Sequence, residues 1–233
     1  MPSLSIASRA LLFGLVVVMP PIQVAIGADA HLLPVGPTFD IPAPIGKSYS
    51  RVAEKMLFAE PSWLVRYYSS TERATTGVSI ARTSGGHYRL SIKKARPQLG
   101  SLVANAFYQK LDLGQALATV KVESAETEMP EAVAVAVHRL WLSLLRDVYI
   151  DEKLDPPYLL SAEIIFYGRT PEGKTLAGKM PPAGFKYHNL AKVDDIVENL
   201  FKAAFGPATN RKNLFASIEK KAAALTRKEA NGN

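Results

Sequence analysis

Alternation of apolar and polar residues is clearest in two neighbouring stretches, Gly77–Arg82 and His87–Lys93. Val78 and Ile80 fall on one side, as do Tyr88, Leu90 and Ile92, while His87, Arg89, Ser91 and Lys93 fall on the other. A period of two marks strands, and Thr83-Ser84-Gly85-Gly86 between them supplies a hairpin loop. The polar sides predict an antiparallel sheet with one face in solvent. Trp63–Ser69 (WLVRYYS) is aromatic and β-branched and predicts a preceding strand. Thr119–Ala125 (TVKVESA) alternates as another. Leu159–Gly168 and Lys174–Met180 form a second hairpin around Thr170-Pro171-Glu172-Gly173.

Recurrence at three and four residues marks helices. Ser48–Ala59 is one, capped by Ser48 or Ser50 and stopped by Pro61. Pro97–Leu111 is the next, with Leu99, Leu102, Val103, Ala106, Phe107 and Leu111 in register. Pro130 opens the strongest, whose core stripe is Val133, Val137, Leu140, Trp141, Leu144, Leu145 and Val148. Val135, Leu142 and Tyr149, seven apart, form a second stripe on its far side, flanked by Arg139 and Arg146. A helix apolar on two sides is buried on both or offers one to a partner. A further helix starts at Asn189 or Asp194 and stops at Gly206-Pro207. The last, about Lys212–Glu229, carries Leu214, Ile218, Ala222 and Leu225 on one side, and its tail from Thr226 is expected to fray. Hairpins interleaved with helices, without regular βαβ alternation, predict an α+β domain. An antiparallel sheet of about five or six strands packs on helices, and residues 48–233 form one domain.

The N-terminus has the three-part layout of a secretory signal. Met1–Arg9 is short and basic, Ala10–Met19 is unbroken apolar, and Ala28-Asp29-Ala30 has the small-x-small pattern of a cleavage site. Ten apolar residues of helix reach about 15 Å, roughly half a hydrocarbon core. The expectation is a signal peptide over 1–30, not an integral membrane protein, and a periplasmic or secreted location. His31–Gly46, with four prolines, predicts an extended arm ahead of the domain.

The net charge is +7, from 28 Lys+Arg against 21 Asp+Glu. Six of the basic residues lie in Arg211–Asn233 against two Glu, so that end carries most of the excess. Lys220 and Arg227 stand on its polar side. A basic amphipathic helix can lie on an anionic surface. The chain has no cysteine, which excludes disulfides, thiol catalysis and cysteine-ligated metals.

Catalytic constellations are sparse. His31, His87, His138 and His188 lie far apart in the chain, without a close metal-binding spacing. Ser91-x-x-Lys94 and Ser217-x-x-Lys220 fall on a strand and a surface helix, not at a helix start beside a pocket. The carboxylate pairs Asp194-Asp195 and Glu126/Glu128 are each placed at a helix start, where capping explains them. No catalytic residue, metal ligand or cofactor is expected. Tyr67, Tyr68 and Tyr88 are too scattered for a base-stacking strip, so nucleic acid is disfavoured as a partner.

The stretches HRLWLSLLRDVYI, SAEIIFYGRTPEGKTLAGKMPP and VDDIVENLFKAAF, within about residues 131–205, resemble a loose class of uncharacterised exported bacterial proteins. The resemblance implies an α+β domain in the bacterial envelope and transfers no site residue. The resulting expectation is a non-catalytic binding or interaction module, with Val135, Leu142, Tyr149, Arg139, Arg146, Lys220 and Arg227 as its contact surface. Its partner would be another envelope protein, a second copy or an anionic envelope surface. The competing expectations are a hydrolase with dispersed His, Asp and Glu, and lipid or glycan binding through the basic C-terminal helix.

Overall fold

A computed structural model describes residues 31–35, 43–58, 60–71, 73–146, 148, 164–181 and 187–231. The expected leader, residues 36–42 of the arm and Tyr149 lie outside the described residues. The elements run β1 (Leu33–Pro34), α1 (Ala43–Leu57), β2 (Trp63–Ser70), β3 (Thr75–Arg82), β4 (Tyr88–Arg96) and α2 (Leu99–Tyr108). They continue with α3 (Leu113–Ala118), β5 (Lys121–Met129), α4 (Glu131–Leu145), β6 (Ile164–Arg169), β7 (Thr175–Lys179), α5 (His188–Phe205) and α6 (Ala208–Asn231). The strands form one antiparallel sheet in the order β1-β7-β6-β2-β3-β4-β5, six full strands and the two-residue β1. The α+β class follows directly.

The alternating hairpin pairs Val78 with Ile92 and Ile80 with Leu90. Its turn is closed by Gly86 N–H donating to the Thr83 carbonyl at 3.0 Å, with Gly86 at φ 82°. That left-handed conformation is one glycine adopts without penalty.

Helices cover both faces. On one, Val65, Tyr67, Val78, Ile80, Leu90, Ile92 and Phe166 form a continuous core with α4, α5 and α6. Trp141 is 1% exposed at its centre, edge-on to Phe166 at 5.4 Å, and its indole N–H donates to the Arg66 carbonyl at 3.3 Å. Aromatic pairs favour that geometry, and a buried indole N–H needs an acceptor. On the other face, Ile45, Tyr49, Ala53 and Leu57 of α1 and Leu99 and Val103 of α2 pack on Tyr68, Ala95 and Ile165. Gly77 lets α1 come this close, because a Cβ there would stand 2.8 Å from the Leu57 Cβ.

Several expectations need correction. The second face is not simply wet: Ser79 and Ser91, on its polar side, are buried. Only β5, at the sheet edge, stays mostly in solvent. Glu126 and Glu128 lie on β5, not at a helix start. Short α3 carries no fully buried residue, which explains why its apolar pattern is faint. The arm contributes β1, with Leu32 and Val35 buried, so its first residues are tied to β7. The first helix begins at Ala43, and α6 runs Ala208–Asn231. Among the described residues no helix is long and apolar enough to cross a membrane.

Candidate binding recess

The side chain that organises the second face is Arg66. It is the lone cation in an otherwise aromatic and aliphatic strand, and the pleat turns it toward α1 beside Tyr68 and Ser70. It is 8% exposed. Its Nη1 donates to Glu54 Oε1 at 2.7 Å, and Nη2 to the carbonyls of Glu60 at 3.2 Å and Phe58 at 3.5 Å. The guanidinium lies 4.6 Å from the Trp63 ring centre and 4.8 Å from that of Phe58. Burial pulls its pKa down and the Glu54 carboxylate opposes the shift. Removal of a cation from water needs such compensation.

Arg169 repeats the arrangement from β6. Its guanidinium lies 4.4 Å from the Trp63 ring centre and donates to the Pro61 carbonyl at 3.1 Å. Two arginines therefore pin the segment after α1 through the carbonyls of Phe58, Glu60 and Pro61, and the indole takes both cations against its π surface.

Beside this loop opens a recess of about 450 Å³, lined by Glu60, Pro61, Ser62, Ala81, Arg82, Thr83, Ser84 and Arg89. Glu60 Oε2 is buried and makes no hydrogen bond, while the carboxylate's charge acts on Arg66. Arg82 and Arg89 are exposed. Arg89 reaches Glu126 at 3.3 Å, with both side chains about half exposed. An ion pair that open is worth little and yields easily. The register carries a polar row across the sheet from Tyr167 through Arg66, Ser79 and Ser91 to Glu126. The hydroxyls of Ser79 and Ser91 are buried and lack hydrogen-bond partners. Buried polar groups are normally satisfied, so a cluster of orphans on one face marks it.

Farther along the same face, the Tyr49 and Tyr68 hydroxyls hydrogen-bond to each other. Gln98 Nε2 donates to Ser70 Oγ at 2.8 Å, and Thr75 Oγ1 accepts from the Leu99 N–H at 2.9 Å. Burial raises the pKa of both tyrosines. This network joins α1, α2 and the sheet rather than opening to a cavity.

The residues singled out by sequence lie elsewhere. Val135 and Leu142 are half-buried, and Leu142 packs over Gly168 of β6, where a Cβ would stand 3.2 Å from it. Arg139 is exposed on α4 and Arg146 at its C-cap. Lys220 and Arg227 are exposed on α6, whose apolar residues Phe215, Ile218, Ala222 and Leu225 are buried in the core. His138 Nε2 is held by the Arg169 carbonyl at 2.6 Å, and His188 is exposed at the start of α5. The Asp194 pKa is raised by partial burial and by Asp195 and Glu198. Sequence reasoning missed Glu60, Trp63, Arg66 and Arg169. The one available signal was a charge interrupting WLVRYYS. Comparison of the chain with protein-family models, with curated proteins and with solved structures finds no match.

Proposed function

We propose that the protein is a non-catalytic binding module of the bacterial cell envelope, periplasmic or secreted, that takes a small polar ligand in the recess beside Glu60. The observation that supports this reading is a recess of about 450 Å³ lined by Glu60 and by the exposed residues Arg82 and Arg89. Glu60 also lines the recess, and its carboxylate would accept from a ligand hydroxyl or ammonium. An anionic group on the same ligand would engage the two guanidinium groups, which suit carboxylate or phosphate. The described lining holds recognition groups and no histidine. Thr83 Oγ1 donates to the His87 carbonyl at 3.1 Å, which occupies its proton in the turn. Export is supported by the N-terminal sequence pattern alone.

The test is ligand-observed NMR of the full chain with free amino acids and sugar acids as probes, followed by calorimetry on any that bind. The expected result is one-to-one binding by a member of this set, weakened about tenfold or more by Glu60→Gln and by Arg89→Ala. Failure of the whole set to bind, or equal binding by Glu60→Gln, overturns the ligand reading. Fractionation of cells expressing the chain with a C-terminal tag tests export. Full-length protein retained in the cytoplasm would overturn that part.

A further inference from the structure

The two edges of the sheet are finished differently. At one, β7 is five residues long and β1 pairs with it at Gly178 and Lys179. At the other, β5 is nine residues long, equal to β4, and its ladder to β4 runs without a shift from Lys121 to Met129. Among the described residues β5 pairs with β4 alone. The outward backbone N–H and C=O groups of such a strand are a template for a further strand. Proteins blunt that template with a short strand, a proline, a bulge or a covering loop. β5 has no proline and no bulge, and Lys121, Val122, Glu123, Ser124, Glu126 and Glu128 are exposed.

Charged side chains also guard an edge, when pairing would set them against like charge. The residue order of β5 does the opposite when the strand meets itself. Identical antiparallel strands related by a two-fold axis pair residues of the same parity, because only alternate residues turn their N–H and C=O outward. With Ala125 on the axis, the whole strand overlaps its copy. Glu123 then stands opposite Thr127 of the second copy, Glu126 opposite Ser124, Glu128 opposite Val122 and Lys121 opposite Met129. No like charges are opposed, and Glu123 and Glu126 each meet a hydroxyl, a donor that strengthens against a carboxylate. Neighbouring registers lose this. With Ser124 on the axis, Glu123 meets Ala125 and Glu126 meets Val122; with Glu126 on the axis, its carboxylate meets its own copy. Full overlap and chemical complementarity therefore select the same register. Within the protomer, Arg89 at 3.3 Å and Arg96 at 3.8 Å already offset Glu126 and Glu123.

The geometry points to β5 as a self-docking edge: two copies pair their β5 strands antiparallel about Ala125 and continue one sheet across both. A second copy is the occupant that fits, because a two-fold contact requires a patch that complements itself, and this strand does. Main-chain bonds supply the adhesion and the side-chain order supplies the register. The inference does not rest on the ligand reading and stands or falls apart from it.

The test uses the full chain, whose lack of cysteine makes the register directly readable. Ala125→Cys places a thiol on the axis beside its copy, and mild oxidation is expected to link two chains. Val122→Cys is the more exposed position, but its copy would lie about 20 Å away along the strand, beyond the reach of a disulfide. It is expected to remain unlinked. In sedimentation the unmodified chain is expected to form a dimer that dissociates on dilution. Ser124→Glu sets a carboxylate opposite Glu126 of the copy twice over, and is expected to raise the dissociation constant about tenfold or more. In its own protomer that position faces Lys93 across the ladder, so the thermal midpoint of the diluted chain is expected to hold. An unmodified chain that sediments only as a monomer overturns the proposal. So does a dimer that Ser124→Glu leaves as tight as before, or equal linking by Ala125→Cys and Val122→Cys.

Discussion

The two sides of the sheet are built by different means. The side under α4, α5 and α6 is one apolar core, with Trp141, Leu140, Leu145, Val193, Ile196 and Leu200 at 1% exposure or less. The side under α1 and α2 is interrupted by charge and hydroxyl: Arg66, Ser79, Ser91, Gln98, Thr75 and the paired tyrosines. Apolar packing is non-directional and tolerates local repacking. Buried polar groups are directional, and each one left unpartnered weakens the fold. The first side is therefore built from non-directional packing and the second from directional contacts around Arg66 and the paired tyrosines.

Substitutions on the two sides should differ in size and in sign. Trp141→Ala is expected to have the largest effect, about 3–5 kcal/mol of destabilisation in urea unfolding. A loss below that of a surface substitution would mean that this core is not continuous. On the other side, Gly77→Ala drives a methyl toward Leu57 and Phe58 and should destabilise by about 1–3 kcal/mol through overpacking. Lys110→Gly should stabilise by about 1 kcal/mol, because it relieves the left-handed lysine. Ser79→Ala and Ser91→Ala remove buried hydroxyls without partners, so the change should be neutral to stabilising, within about 1 kcal/mol. Clear destabilisation by either alanine would show that the serines are satisfied and structural.

The smallest effect is expected at Asp194, which is partly buried and lies past the first turn of α5 instead of at the expected helix start. Its folded pKa is raised above the unfolded value, so the ionised form opposes folding at neutral pH. Asp194→Asn should raise the thermal midpoint at pH 7. That gain should fade as pH falls through the raised folded value, where the native side chain takes up its proton. A gain that persists at low pH would point to a cause other than charge.

Much of the first side was legible along the chain. The stripe Val133, Val137, Leu140, Trp141 and Leu144 predicts a buried face of α4, and that face is buried. The β3–β4 hairpin follows from alternation and from Gly85-Gly86, and its register matches. The second side was misread for a definite reason. Period-two alternation tells which residues share a face, not what covers it. Ser79 and Ser91 look solvated in sequence and are buried on the face that α1 and α2 pack against. The break between α2 and α3 at Lys110 hid within a single predicted helix, since Phe107 and Leu111 fit the helical period as well as the buried positions do.

By itself the sequence determined the absence of thiol chemistry, the interleaved strands and helices, and the apolar stripes that must be buried. Each follows from local composition and periodicity, which a chain carries before it folds. Only the tertiary structure decided which face each stripe meets and which charges come together. Arg66 on β2 and Arg169 on β6 are about a hundred positions apart, yet both lie against Trp63 because β2 and β6 are neighbours in the sheet. Strand order is a property of long-range pairing, and no short-range pattern encodes it.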